Sequence, residues 1–242
     1  MRILVIIQAR TGSKRLPDKV LMKIQGKSIL EHIVNFLKFS KKIDQIIVAT
    51  SDLKSDDKIE KLCKKINVSC FRGNSLNVLK RYFDCATSFK GDVIVRITAD
   101  NPLIDPKLVD KAVSLLIGKK LDYVTNMIHQ SYPEGYLVEV FTFNTLKRVY
   151  ETFHDDESKE HITFQLRKRP QGFKIGEFFA AKNKQRPNWR LTVDYDEDIK
   201  LIKKLFSNLY QPNSFIQYNS VFKYLEQYPL TLNINQKYSI KS

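Results

Sequence analysis

A short apolar run that opens straight into a basic loop limits what this chain can fold into more than any other stretch. Residues 2–8 (RILVIIQ) are nearly all apolar, the pattern of a strand buried on both faces of a parallel sheet. The loop that follows, ARTGSKRLPDK, carries Arg10, Lys14, Arg15 and Lys19 against Asp18 alone. Such a junction suits a polyanion. Backbone amides after Gln8 can point at phosphate oxygens, and Gly12 lets the backbone approach closely. Arg10 offers a planar fork and Lys19 a point charge. Gln8, Ala9, Arg10, Gly12, Ser13 and Lys19 are therefore candidate nucleotide-binding residues, with an ordinary basic surface loop as the competing reading. Neither G-x-x-x-x-G-K-[ST] nor G-x-G-x-x-G occurs, which excludes the Walker and dinucleotide fingerprints.

Beyond the loop, strand and helix patterns alternate. Ser28 can cap a helix whose apolar positions Ile29, Ile33, Val34 and Leu37 share a face. Strands are expected at 45–50, 68–72, 92–98 and 121–125, with helices at 55–66, 75–89 and 105–116 between them. This rhythm predicts an α/β, doubly wound, mostly parallel sheet. Ligands of such sheets sit beyond the carboxyl ends of the strands, which directs attention to residues 8–10, 50–52, 72–73 and 99–101. After Met127 the rhythm changes. Residues 137–143 and 173–181 read as strands of a small mixed sheet, 150–169 as one charged helix, and 190–193 as a short strand. Residues 196–209 and 214–227 read as helices, and the last dozen residues as a loose tail. The expected organisation is one domain over residues 1–242: a core at 1–126, a mixed-sheet subdomain at 127–189, a return to the core at 190–228 and a tail at 229–242.

Composition narrows the class. A chain of 242 residues with 43% apolar and 28% charged residues is that of a soluble globular protein. No apolar run approaches the ~18 residues of a membrane span, and RILVII lacks the length and cleavage site of a signal peptide. A cytoplasmic location is expected. Cys63, Cys70 and Cys85 are odd in number and lack metal-site spacing, so they read as reduced thiols. The net charge of +15 admits nucleic acid, an anionic membrane surface or anionic small molecules. The excess lysines are scattered along predicted helices as solvated faces, which argues against nucleic acid.

Two carboxylates lie where strands end. Asp100, in RITADNPLIDP, directly follows a buried strand, and a hard oxygen there suits Mg2+; a turn carboxylate is the alternative. Asp194 ends the 190–193 strand, ahead of Asp196, Glu197 and Asp198, which a helix N-terminus favours.

Five segments, in order from residue 1 to about residue 205, resemble the cytidylyltransferases that make CMP-activated sugars. That group includes 3-deoxy-manno-octulosonate cytidylyltransferase and CMP-sialic acid synthetase, and the pattern is most similar to the spore coat polysaccharide biosynthesis protein F group. They are IIQARTGSKRLPDKVL, FRGNSLNVLKRY, RITADNPLIDP, YPEGYLVEVF and WRLTVDYDEDIKLI, with a weaker sixth in KEHITFQL around His161. The resemblance implies a glycosyltransferase-A-like fold, CTP as substrate, a sugar acceptor and release of pyrophosphate. It implies Arg10 and Lys19 on the triphosphate and Mg2+ on Asp100 and Asp194, so that Arg10, Lys19 and Asp100 are the catalytic set. It places Arg72, Gly73 and Asn77 near the nucleotide, Gly135 and Glu139 near the acceptor, and a homodimer contact after Met127. Three positions depart from the family: Asp18 and Leu137 stand where Gly and Asp are usual, and Asn77 replaces Asp. Leu137 keeps open an alditol-phosphate or phosphonate cytidylyltransferase, or a glycosyltransferase of the same fold. A basic nucleic-acid-binding protein is the rival from another class.

Overall fold

In the computed structural model, which describes residues 1–238, the chain begins with β1 (Ile3–Gln8), five of its six residues buried. After the basic loop, β2 (Lys23–Ile24) and β3 (Lys27–Ser28) form a small antiparallel sheet. Ser28 then caps α1 (Ile29–Leu37), its hydroxyl accepting the Glu31 N–H at 3.1 Å. The alternation continues through β4 (Gln45–Ser51), α2 (Asp57–Lys65), β5 (Ser69–Gly73), α3 (Val78–Ser88), β6 (Val93–Thr98) and α4 (Pro106–Gly118). Next come β7 (Tyr123–Thr125), β8 (Glu139–Thr142), α5 (Phe143–Thr152), α6 (Asp156–Glu160), α7 (Phe164–Arg167) and β9 (Ile175–Glu177). α8 (Asp196–Leu209) and α9 (Tyr218–Gln227) complete the helices, and 3-10 turns follow.

One seven-stranded sheet runs in the order β5-β4-β1-β6-β8-β7-β9. β5, β4, β1 and β6 are parallel, β8 is antiparallel to both β6 and β7, and β9 is parallel to β7. From β1 the chain moves outward to β4 and β5, then crosses back to β6. The carboxyl ends of β1 and β6 therefore flank the point where strand order reverses, the position at which such sheets bind ligands. Side chains alternate across the sheet. Ile3, Val5 and Ile7 of β1 join the layer of α1, α4, α8 and α9, while Leu4 and Ile6 join that of α3 and α5. Among the described residues no helix is long and apolar enough to cross a membrane.

The mixed character expected beyond residue 127 is carried by the main sheet, which takes in both β8 and β9. Several boundaries differ from expectation for local reasons. Residues 150–169 form three short helical segments instead of one. Phe153 leaves the helical region, and the Asp155 carboxylate starts a new helix by accepting the Ser158 N–H. The 137–143 strand is confined to 139–142 because the Thr142 side chain caps α5, accepting from Thr145 N. The 173–181 strand shortens to 175–177, and 190–193 pairs only through a single bridge between Arg190 and Glu134. The helix expected from 214 starts at 218. The expected loose tail is docked as 3-10 turns at 229–234 and 236–238, with Leu232 and Ile234 against the core; residues 239–242 lie outside the described residues.

Candidate functional site

A cavity of about 490 Å³ opens at the carboxyl ends of β1 and β6, large enough for a nucleotide-sized ligand. Its walls include Gln8, Arg10, Gly12, Ser13, Lys14, Arg15 and Lys19, so the basic loop forms one side. The loop is shaped from within. The Ser13 and Asp18 N–H groups both donate to Thr11 O, at 2.9 and 3.0 Å. Asp18 has φ +55°, the left-handed region where glycine is at ease and Asp is tolerated. That geometry accounts for Asp18: its backbone turns the chain into the 3-10 turn 19–21, and its carboxylate reaches out to Lys58 Nζ at 2.9 Å.

Lys19 sits at the centre, 8% exposed. Its ammonium donates to Asp100 Oδ2 at 3.1 Å, Asp194 Oδ1 at 2.8 Å and Val193 O at 2.8 Å. All three of its donors are thus directed at the carboxylate end of the cavity. Asp100 follows β6 and is bound at Oδ1 by the Thr98 hydroxyl at 2.6 Å. Its backbone oxygen accepts from Val193 N at 2.9 Å and Thr192 Oγ1 at 3.2 Å, which fastens the 192–194 segment beside it. Asp194 is surrounded by cations: Arg15 at 2.8 Å shares Oδ1 with Lys19, and Arg190 takes Oδ2 at 2.8 Å. Burial pushes the Asp194 carboxyl up, but Lys19, Arg190 and Arg15 outweigh it and hold the carboxyl below its ordinary range. The Arg15 guanidinium is pushed up chiefly by its bond to Tyr195, against burial and with help from Asp194.

Among the described residues no group of three or more His, Cys, Asp or Glu side chains could enclose a metal. Two hard carboxylates converging on one cation fit Mg2+, which binds few carboxylates and completes its shell with phosphate oxygens and water.

Other expected residues lie apart from the cavity wall. Arg72 is engaged by Asp57 and by Glu60 at 3.0 Å, and also donates to Ser51 O and Leu53 O. Gly73 is a close-approach position, where a Cβ would lie 2.8 Å from the Phe71 ring. Asn77 caps α3, accepting from Lys80 N at 2.8 Å. Gly135 has φ +104° and packs where a Cβ would meet Leu191 O at 2.5 Å. Glu139 is buried and ion-paired to Arg96 at 2.5 Å, with the Tyr123 hydroxyl on its other oxygen. Burial pushes its carboxyl up, but Arg96 dominates and lowers it.

Five further residues contribute that were not among the expected site residues, although His161 lies in one of the resembling segments. Arg96 lines the cavity and reaches Gln8 Oε1 at 3.4 Å. Glu160 and His161 also line it, with Glu160 at 3.6 Å from Arg10. Asp56, 1% exposed, staples the loop to the end of β4. Its Oδ1 accepts from Thr11 N and Oγ1 at 2.8 and 2.7 Å, and its Oδ2 from Ser51 N and Oγ at 3.2 and 2.5 Å. Asp198 reads from sequence as a helix-start acid, but it is 0% exposed and accepts from Arg190, Asp194 N and Tyr195 N. Nothing in a run such as SDDK separates a buried staple from a solvated acid; only the fold does.

A family model described as cytidylyltransferase matches residues 4–227. The chain is 38% identical over 242 residues to an uncharacterised protein of Methanocaldococcus jannaschii, covering 100% of this chain and 98% of that one. It is 34% identical over 211 residues to spore coat polysaccharide biosynthesis protein SpsF of Bacillus subtilis, covering 84% and 86%. The solved structure of a cytidylyltransferase from Leptospira borgpetersenii serovar Hardjo-bovis superimposes with a TM-score of 0.91 at 31% identity, with 100% of both chains covered.

Proposed function

The chain belongs to the cytidylyltransferase family, and on that premise we propose that it transfers CMP from CTP to a hydroxyl of a sugar acid or related sugar in surface polysaccharide or glycan synthesis. The observation that carries this reading is the bridge from Lys19 to Asp100 and Asp194 beneath a loop of cations. It sets paired carboxylates against a phosphate-binding strand end.

The reaction is a displacement at phosphorus. The acceptor hydroxyl oxygen attacks the α-phosphorus in line, the bond from that phosphorus to the bridging oxygen breaks, pyrophosphate leaves with that oxygen, and the hydroxyl proton passes to solvent water. The protein's work is to position the two reactants and neutralise the charge gathering on the leaving phosphates. Arg10 and Lys14 on the cavity wall meet the triphosphate, together with the amides and hydroxyl of the Gly12-Ser13 turn. Asp100 and Asp194 would hold Mg2+, which when bound supplies charge at the α-phosphate and lowers the pKa of the attacking hydroxyl. Lys19, on the wall of the same cavity, offsets the repulsion between the two carboxylates. Arg96, Glu160 and His161 serve the acceptor. Glu139 acts there through Arg96, and Gly135 through the Leu191 backbone it packs on. The enzyme works in the cytoplasm as a homodimer formed through the region after Met127. Leu137, where the family usually has Asp, keeps open as a second reading an alditol-phosphate or phosphonate cytidylyltransferase, or a glycosyltransferase of the same fold.

The test is pyrophosphate release with each nucleoside triphosphate and Mg2+ across a panel of sugar acids, sugar phosphates, alditol phosphates and phosphonates. Release with CTP above the other triphosphates is expected. Absence of CTP preference with every acceptor refutes the reading.

A further inference from the structure

The segment after α9 lies beyond the residues 4–227 matched by the family model, yet it is wired to the carboxylate end of the cavity. Asn235 is 1% exposed. Its Nδ2 donates to Asp198 Oδ1 at 2.7 Å and Arg190 O at 3.0 Å. Two acceptors on one atom fix the orientation of the amide, since only nitrogen can donate to both. Asp198 in turn receives the Asp194 and Tyr195 N–H groups on Oδ2 at 2.9 and 3.0 Å, and Arg190 on both oxygens at 3.2 and 3.1 Å. Arg190 completes the route by donating to Asp194 Oδ2.

A second route ends on the other oxygen. Tyr238 lies flat on Tyr195, with centroids 3.8 Å apart and rings 4° from parallel. The Arg15 guanidinium stands 5.1 Å from the Tyr195 ring centre and holds Asp194 Oδ1 at 2.8 Å. Between the routes, Lys237 pairs with Glu197 in the first turn of α8 at 2.8 Å. Among the described residues, these side-chain interactions of the 235–238 segment with the rest of the fold fall on residues 190–198, around Asp194.

We propose that residues 235–238 form a clasp in which Asn235 and Tyr238 are positioning residues for Asp194, acting through Asp198–Arg190 and Tyr195–Arg15 respectively. The consequence for CTP rests on the function proposed above, but the positioning does not. Left to itself, the Asp194 side chain has three cations competing for two oxygens. The clasp braces two of those cations, Arg190 and Arg15, from outside the cavity, while Lys19 meets the carboxylate from the cavity wall. The segment thus sets the direction of the carboxylate without touching substrate.

The test compares wild type with Asn235→Ala, Tyr238→Ala and Tyr238→Phe. Hydrogen exchange of the Asp194 and Tyr195 amides is followed by NMR, alongside thermal melting and calorimetric CTP binding in Mg2+. Loss of protection at these two amides by about tenfold is expected in both alanine variants, with distant amides unchanged. Tyr238→Phe, which keeps the stacked ring, should stay within about twofold of wild type, while CTP binds about fivefold more weakly to the alanine variants. Unchanged protection at residues 194 and 195 overturns the proposal. So does a loss spread evenly over the fold with a lowered melting temperature, which would make the segment a general brace. Equal losses in Tyr238→Phe and Tyr238→Ala overturn the stacking route. If wild type itself fails to bind CTP, the proposed function falls and the exchange data alone decide the clasp.

Discussion

Asp56→Asn is the most severe test of how the basic loop is held. The carboxylate is buried and takes one backbone N–H and one hydroxyl on each oxygen, joining Thr11 in the loop to Ser51 at the end of β4. Asparagine keeps one oxygen and turns the other into an NH2 donor. The hydroxyl on that side can rotate to accept, but the backbone N–H beside it cannot. Leaving that N–H buried without a partner costs about 1–3 kcal/mol, and reducing two charge-assisted bonds to neutral ones costs about 1 kcal/mol each. The expected loss is about 4 kcal/mol, a melting temperature lowered by roughly 10 °C in a domain of this size. Asp57→Asn, at a half-exposed neighbour paired with Arg72, supplies the control and should cost less than about 1 kcal/mol.

The pH dependence adds a second reading of the same bond set. Burial pushes the Asp56 carboxyl up, but the bonds from Ser51 and Thr11 prevail and hold it below the ordinary 3.8. In acid the unfolded chain therefore binds a proton first. The stability from Asp56 is fully present above the ordinary carboxylate range and drains away as pH falls through the lower folded value. Urea unfolding of wild type and Asp56→Asn at neutral pH and in acid should show the gap between them narrowing as pH falls. A neutral-pH difference below about 1 kcal/mol, or a gap that does not narrow, refutes the staple.

Asp100→Asn should lower CTP-dependent pyrophosphate release by about a hundredfold or more, and activity surviving within a few-fold would remove Asp100 from the metal site. Glu139→Gln strands the buried Arg96 guanidinium and should cost about 3–5 kcal/mol in urea unfolding; a cost under about 1 kcal/mol would mean that the pair does not carry the sheet at β6 and β8. Asp18→Gly relieves a left-handed backbone but loses the surface pair with Lys58, so stability should stay within about 1 kcal/mol with CTP binding unchanged. A larger loss would give the Asp18 carboxylate a role that its geometry does not show.

The parts of the fold legible in sequence are those whose environment is uniform. β1, β4 and β6 are buried on both faces and read as unbroken apolar runs, while Ser28 and the acids at 196–198 mark helix starts by local chemistry. Glu139 falls in the run 137–143, which reads from sequence as a strand of a small mixed sheet. It is buried because β8 lies inside the sheet, between β6 and β7, and only the strand order reveals that. Residues 150–169 looked continuous because charges at helical spacing run across breaks that Phe153 and Asp155 impose. In the site, motif matching brought Asp100, Asp194 and Lys19 to notice, but not that Lys19 bridges the two carboxylates. Lys19 finds its partners 81 and 175 positions away, beyond the reach of any local pattern. Arg15, which in the sequence is one more cation of the loop, is drawn onto Asp194 for the same reason.

That long reach has a consequence for how the molecule is made. At about 5–20 residues per second, roughly 10–35 s separate the synthesis of Lys19 from that of Asp194, 175 positions later. For the first 81 positions of that interval neither carboxylate partner of Lys19 has been made, and for the rest only Asp100 has. Closing the cluster is a non-local event, of the kind that is slow and comes late in folding. The first loop of the sequence to be translated is thus among the last to be electrically complete.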